Sequence, residues 1–159
     1  MNKQLLISEF LTTPWALMPE RLQAMTAVLT RWSSDVSPSD ETLFQINTDR
    51  MLRDTRKQFA SDRAASSAGL GIAVLPLYGV VTQRGNMVDD ISGPGSTSTQ
   101  KFTSALRQVL ADDTVGQILI DIDSPGGSVY GVAELASEIV KARAQKPVVA
   151  VANSLAASA

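Results

Sequence analysis

The chain has 159 residues, of which 44% are hydrophobic and 19% charged, enough for a buried core in an ordinary water-soluble domain. Its net charge of −2 and pI of about 5.1 give no electrostatic case for a nucleic-acid partner. Cysteine and histidine are both absent, which excludes disulfides, thiolate catalysis, a Ser-His-Asp triad within the chain and any metal site built on those residues; no cofactor is expected.

The opening stretch MNKQLLISEFLTTPW has too short an apolar core for a secretory signal, and no apolar run approaches the roughly 20 residues that span a bilayer. A soluble, cytoplasmic protein is expected. Pro14 and Pro19 bracket an apolar patch, which reads as an extended segment leading into a helix. Pro19 suits the first helical turn and Glu20 suits the positive end of its dipole. Leu22, Met25, Leu29 and Trp32 then fall on one helical face. Ser33 to Asp40 is a polar linker, and Pro38-Ser39-Asp40-Glu41 before Leu43, Phe44 and Ile46 marks a second helix start. From Asp49 to Arg63 the basic residues are interspersed with acids, the pattern of a solvated helix face rather than of a run that grips a scaffold or nucleic acid. The small, glycine-bearing run Ala64 to Gly71 places a boundary between a helical arm with its linker, 1–69, and a second unit, 70–159.

Ile72 to Val81 reads as the first core strand, with Pro76 and Gly79 as a bend or edge interruption. Gln83 to Ser98 is a loop longer than ordinary connections. Thr97 and Gln100 offer a capping box for a helix carrying Phe102, Leu106, Val109 and Leu110, which Asp112-Asp113-Thr114 ends. Gln117 to Ile122 is nearly all apolar and β-branched, the signature of a strand buried on both faces. Asp123-Ser124-Pro125-Gly126-Gly127 breaks it. Val132, Leu135, Ala136, Ile139 and Val140 recur at helical spacing, and Val148 to Val151 forms a further strand. Strand, helix, strand, helix, strand is a parallel α/β layout.

A tight strand-to-helix turn of this kind leaves the N–H groups of Gly126 and Gly127 unpaired near a helix N-terminus, where an oxyanion or phosphate would be stabilised. Glycine there for sterics alone is the plainer alternative. The wording SPGG, after an apolar strand ending in aspartate and before a helix, resembles the oxyanion loop of the Clp-protease/crotonase superfamily. A second motif, Val148 to Ala159, leads a strand into a small-residue turn with serine, and is similar to the nucleophile turn of the signal peptide peptidase A-type serine peptidases. The PWAL-MPE wording near the N-terminus resembles the leader of the phage prohead (capsid maturation) proteases.

The resemblance implies a Clp-protease/crotonase-like parallel β-α superhelical domain from Leu70, preceded by the helical arm. It implies a Ser-Lys endopeptidase that processes phage capsid or scaffold proteins in the host cytoplasm or procapsid, as a homo-oligomer when complete. Ser158 aligns with the nucleophile, with Ser154 as competitor in the same turn. The N–H groups of Gly127 and Ala159 align with the oxyanion donors and Gly126 with a supporting position, while Ser124 takes a structural role. The family's base is a lysine lying well beyond the nucleophile. None of Lys3, Lys57, Lys101, Lys141 and Lys146 matches it, and Lys141 and Lys146 read as surface residues. The sequence therefore resembles the front half of such a peptidase, ending inside its nucleophile motif and expected to be inactive alone. Two other readings stand beside it: an inert capsid- or scaffold-docking module, and a crotonase-type acyl-CoA enzyme. If Gly127 is an oxyanion donor, Gly127→Val is expected to lower turnover while leaving the fold largely standing.

Overall fold

The computed structural model describes residues 3–33, 70–84 and 96–157. The expected second helix start, the charged run from Asp49 to Arg63 and most of the Gln83 to Ser98 loop lie outside these residues. Helix α1 (Lys3–Thr12), strand β1 (Trp15–Leu17) and helix α2 (Pro19–Ser33) make the arm; β2 (Gly71–Tyr78), β3 (Val80–Thr82), β4 (Ser96–Ser98), α3 (Thr99–Ala111), β5 (Val115–Ser124), β6 (Gly126–Ser128), α4 (Val132–Ala142) and β7 (Val148–Ala156) make the rest. Pro19 opens α2 as expected, with Glu20 in its first turn; helix α1 is an element that the sequence reading does not anticipate.

Two sheets organise the chain. A three-stranded sheet has the order β2-β5-β7 and is parallel throughout, so the expected parallel α/β layout is what the chain adopts. Strand order advances in one direction, and crossovers of one hand then deliver α3 and α4 to the same face. Phe102 and Leu106 of α3 and Leu135 and Ala142 of α4 pack there on Leu75, Ile118 and Ile120. Leu106 and Ile118 are completely buried, each contributing roughly 1.5–3 kcal/mol by leaving water. The expectation that β5 is buried on both faces needs correction: Ile118 and Ile120 are buried while Leu119 and Asp121, which alternate with them, are only partly covered. Among the described residues the helices cover one face of the sheet. On the other face the Tyr78 hydroxyl donates to an Asp121 carboxylate oxygen.

Pro76 lies on β2, at the edge of this sheet, where its missing N–H costs no ladder bond. Gly79 interrupts the strand as expected, but the interruption is a change of sheet. Beyond it β3 joins a four-stranded sheet of order β1-β6-β3-β4. The Gly79 N–H donates to Asp123 O (2.8 Å), holding the two sheets together at this corner. The helical cap also shifts by one residue: Ser98, not Thr97, caps α3, its hydroxyl accepting from the Lys101 N–H at 3.3 Å. The Thr97 hydroxyl instead serves Tyr78, donating to its carbonyl at 2.7 Å and accepting from its N–H at 3.0 Å. On α4 the apolar stripe is narrower than expected, since Ala136 and Val140 are exposed. Among the described residues no helix is long and apolar enough to cross a membrane.

Candidate functional site

The site grows from the C-terminal end of β5. Ser124 is buried there, and its hydroxyl donates to Gly79 O at 2.7 Å while accepting the Gly126 N–H at 3.2 Å. This short loop through Pro125 carries the chain from one sheet into the other. Gly126 sits at φ 103°, a left-handed conformation that a side chain resists, and a Cβ on it would stand 2.3 Å from Ala16 O and 3.2 Å from Ala157 O. Gly127 is crowded in a different way: a Cβ there would lie 1.9 Å from Val81 O, so only glycine lets β6 approach β3 this closely.

The structure corrects the expected turn. Gly126–Ser128 is a strand, and α4 begins only at Val132 after a Gly131 N-cap, so the glycines are not at a helix N-terminus. Nor are their N–H groups unpaired. That of Gly126 goes to Ser124. Gly127 faces Ala16 across an antiparallel ladder bounded by the bonds Met18 N–H to Pro125 O (3.0 Å) and Val129 N–H to Pro14 O (3.1 Å). That alternation makes Ala16 and Gly127 the pair exchanging both backbone bonds. The physical reason is that a glycine stretch short of side chains is the easiest place for two further strands to close in.

Strand β7 arrives beside this loop. Ser124 pairs with Ala156, and the Ala157 N–H donates to Ser124 O at 3.0 Å. Ser158 and Ala159, the expected nucleophile and second oxyanion donor, lie outside the described residues. Ser154 is exposed on β7 and its hydroxyl donates to an Asp123 carboxylate oxygen at 2.5 Å. This pairing is absent from the sequence reading, since only the parallel register of β5 and β7 reveals it. Two lysines, Lys141 on α4 and Lys146 in the turn after it, are engaged elsewhere. Lys141 pairs with Glu138 at 3.1 Å, and the Lys146 ammonium donates to Val109 O (2.9 Å) and Asp112 O (2.6 Å), closing the end of α3. Among the described residues no group of His, Cys, Asp and Glu could hold a metal ion.

No family model matches the chain. It is 42% identical over 89 residues to the head-tail preconnector protein GP5 of Enterobacteria phage P21. It is 39% identical over 89 residues to the capsid assembly protease C of Escherichia phage lambda. Each match takes in 56% of this chain but only 17% and 20% of the two phage proteins, so the chain spans about a fifth of their length. Its similarity is thus to phage proteins of head assembly, one of them named a protease.

Proposed function

We propose that this chain carries the nucleophile-bearing part of a Ser-Lys endopeptidase that acts on capsid or scaffold proteins during phage head maturation. Ser158 is the nucleophile. The N–H groups of Gly127 and Ala159 receive the oxyanion, and Gly126 lets the backbone come close. The observation that carries the reading is the hold on Ala157: its N–H is bonded to Ser124 and its carbonyl rests against Gly126. Ala157 is thereby held at the glycine loop, and Ser158 and Ala159 follow it in sequence, a hydroxyl and an oxyanion donor being needed together. Ser124 is unsuited to attack because its hydroxyl is buried and already serves two backbone partners.

A serine also needs a base, and in the peptidases that the sequence resembles the base is a lysine whose lowered pKa lets it accept a proton near neutrality. Lys141 and Lys146 are committed to Glu138 and to helix carbonyls, and the resemblance puts the base at a lysine well beyond the nucleophile, in a longer protein. Phage head assembly enters through the similarity to the lambda and P21 proteins. A fluorophosphonate probe tests the assignment in a longer protein carrying this chain together with a downstream lysine. The adduct is expected on Ser158, absent in Ser158→Ala and retained in Ser154→Ala. An adduct on Ser154, or labelling unchanged by Ser158→Ala, refutes it.

A further inference from the structure

The arm meets the α/β part at the glycine strand itself. Ladder bonds run from Met18 N–H to Pro125 O and from Val129 N–H to Pro14 O, with Ala16 opposite Gly127 between them. Ala16 O and Ala157 O both lie within 3.2 Å of the point where a Cβ on Gly126 would stand, so the arm, the glycine loop and the end of β7 converge. Trp15 and Leu17 alternate with Ala16 along β1 and pack on Phe10, Met25, Leu29 and Val80. Of these only Val80 belongs to the α/β part. The Trp15 indole N–H donates to Phe10 O at 2.9 Å, within the arm. The arm is therefore folded around its own strand, and a short backbone ladder attaches it to β6.

We propose that the outer edge of β6, at Gly126–Ser128, is a peptide-binding edge, and that residues 14–18 occupy it in cis in place of an extended polypeptide bound in trans. This rests on the reading of Gly127 as an oxyanion donor. A carbonyl taking the Gly127 N–H is in the position of an acyl group under attack, and Ala16 holds that position. The ligand class follows from the occupant: an extended segment antiparallel to β6, with a small residue opposite Gly127 and apolar residues on either side of it. Strand addition of this kind draws affinity from main-chain bonds and specificity from alternate side chains. Tethering gives the cis segment an effective concentration on the order of millimolar, so a free peptide competes only weakly until the arm is released.

The absence of cysteine makes a reversible lock straightforward to build. In Pro14→Cys/Val129→Cys the two thiols replace exposed residues already joined by a backbone hydrogen bond. The probe is a fluorescein-labelled peptide with the sequence of residues 12–20, read by anisotropy on the whole chain. The reduced double variant is expected to bind it like wild type, and the oxidised form at least tenfold more weakly, with dithiothreitol restoring binding. Ala16→Pro, which removes the N–H given to Gly127, is expected to bind at least tenfold more tightly. Equal affinity of the oxidised and reduced forms, or no binding by any form, overturns the proposal, and that comparison stands even if Ala16→Pro fails to fold. Hydrolysis of the same peptide by the longer, lysine-bearing protein separates the two readings. Cleavage at equal rates with the disulfide open or closed keeps the peptidase and overturns the cis occupant. Redox-gated binding without cleavage supports the occupant and removes the peptidase.

Discussion

Gly127 and Val81 approach so closely that a Cβ on Gly127 would lie 1.9 Å from the Val81 carbonyl oxygen and 2.6 Å from its nitrogen. Both obstacles are backbone in a neighbouring strand and cannot swing aside. The sequence reading expects Gly127→Val to keep the fold and lose turnover; the strand contact overturns the first half of that expectation. Even Gly127→Ala should lower stability by at least about 1–3 kcal/mol, the usual cost of overpacking. Gly71→Ala is the control, because its Cβ would stand 3.5 Å from Thr114 O, an ordinary van der Waals contact. Urea midpoints of the two variants measure the difference, and equal midpoints would contradict the close approach.

Ser124 gives a second stability test. Its hydroxyl is the shared partner of Gly79 O and the Gly126 N–H, and it is 2% exposed. Ser124→Ala leaves both backbone groups without that partner at a buried corner, at a cost of about 1–3 kcal/mol. Chemical denaturation of the variant measures the loss; a change under a few tenths would mean that water or a backbone shift takes over both bonds.

Much of the α/β part is legible in the sequence because its signals are local. The apolar run of β5, the helical spacing of Leu106 and Leu135, and the breaks at Gly79 and Pro125 all concern neighbours in the chain. The site is less legible because its geometry is made of register. Nothing local tells that Ser154 will face Asp123, that Ala157 will bond to Ser124, or that Trp15–Leu17 will lie along Gly126–Ser128. The glycine pair is read as a turn because glycine marks turns and close strand contacts alike. Only the crowding by Val81 and Ala16 decides between them.

The cap of α3 offers a smaller, sharper comparison. Ser98→Ala removes the hydroxyl that accepts the Lys101 N–H and donates to Gln83 O, and should cost about 1 kcal/mol. Gln100→Ala tests the capping box expected from the sequence, and its effect on melting should be the smaller one because its side chain is exposed and Thr97 is not the cap. A larger loss in Gln100→Ala would return the cap to Thr97.

Glu138 ties α4 to α3 through Arg107 at 2.9 Å and pairs with Lys141 of its own helix at 3.1 Å. The hydrogen bond from Arg107, then that from Lys141, holds its carboxyl below the ordinary value of 4.5. A carboxylate depressed in the folded state stabilises the fold above its unfolded pKa, and that contribution is lost as pH falls through the lowered folded value. NMR titration should therefore place Glu138 below 4.5, with Arg107→Ala raising it more than Lys141→Ala. Added salt should shrink the shift, since the pair lies at the surface.

Lys146 is the lysine nearest in sequence to the proposed nucleophile. Its ammonium donates to Val109 O and Asp112 O, carbonyls at the C-terminal end of α3 where helices lack internal donors. Lys146→Met keeps the aliphatic stem and removes both donors, so the melting temperature should fall by an amount equivalent to about 0.5–1.5 kcal/mol, with Lys146→Arg recovering much of it. Asp112 reports on the same corner. Its carboxyl is lowered first by the Thr114 hydroxyl, then by the Thr114 N–H, with the Lys146 charge a smaller influence. Thr114→Val should accordingly raise the Asp112 pKa more than Lys146→Met does, in a side-chain NMR titration. The stability that Asp112 contributes is present above its unfolded pKa and should fade as the solution is acidified below 3.8. In the longer, lysine-bearing protein, Lys146→Met should leave probe labelling of folded protein unchanged. Loss of labelling in that variant would identify Lys146 as the base and overturn its assignment to the helix end.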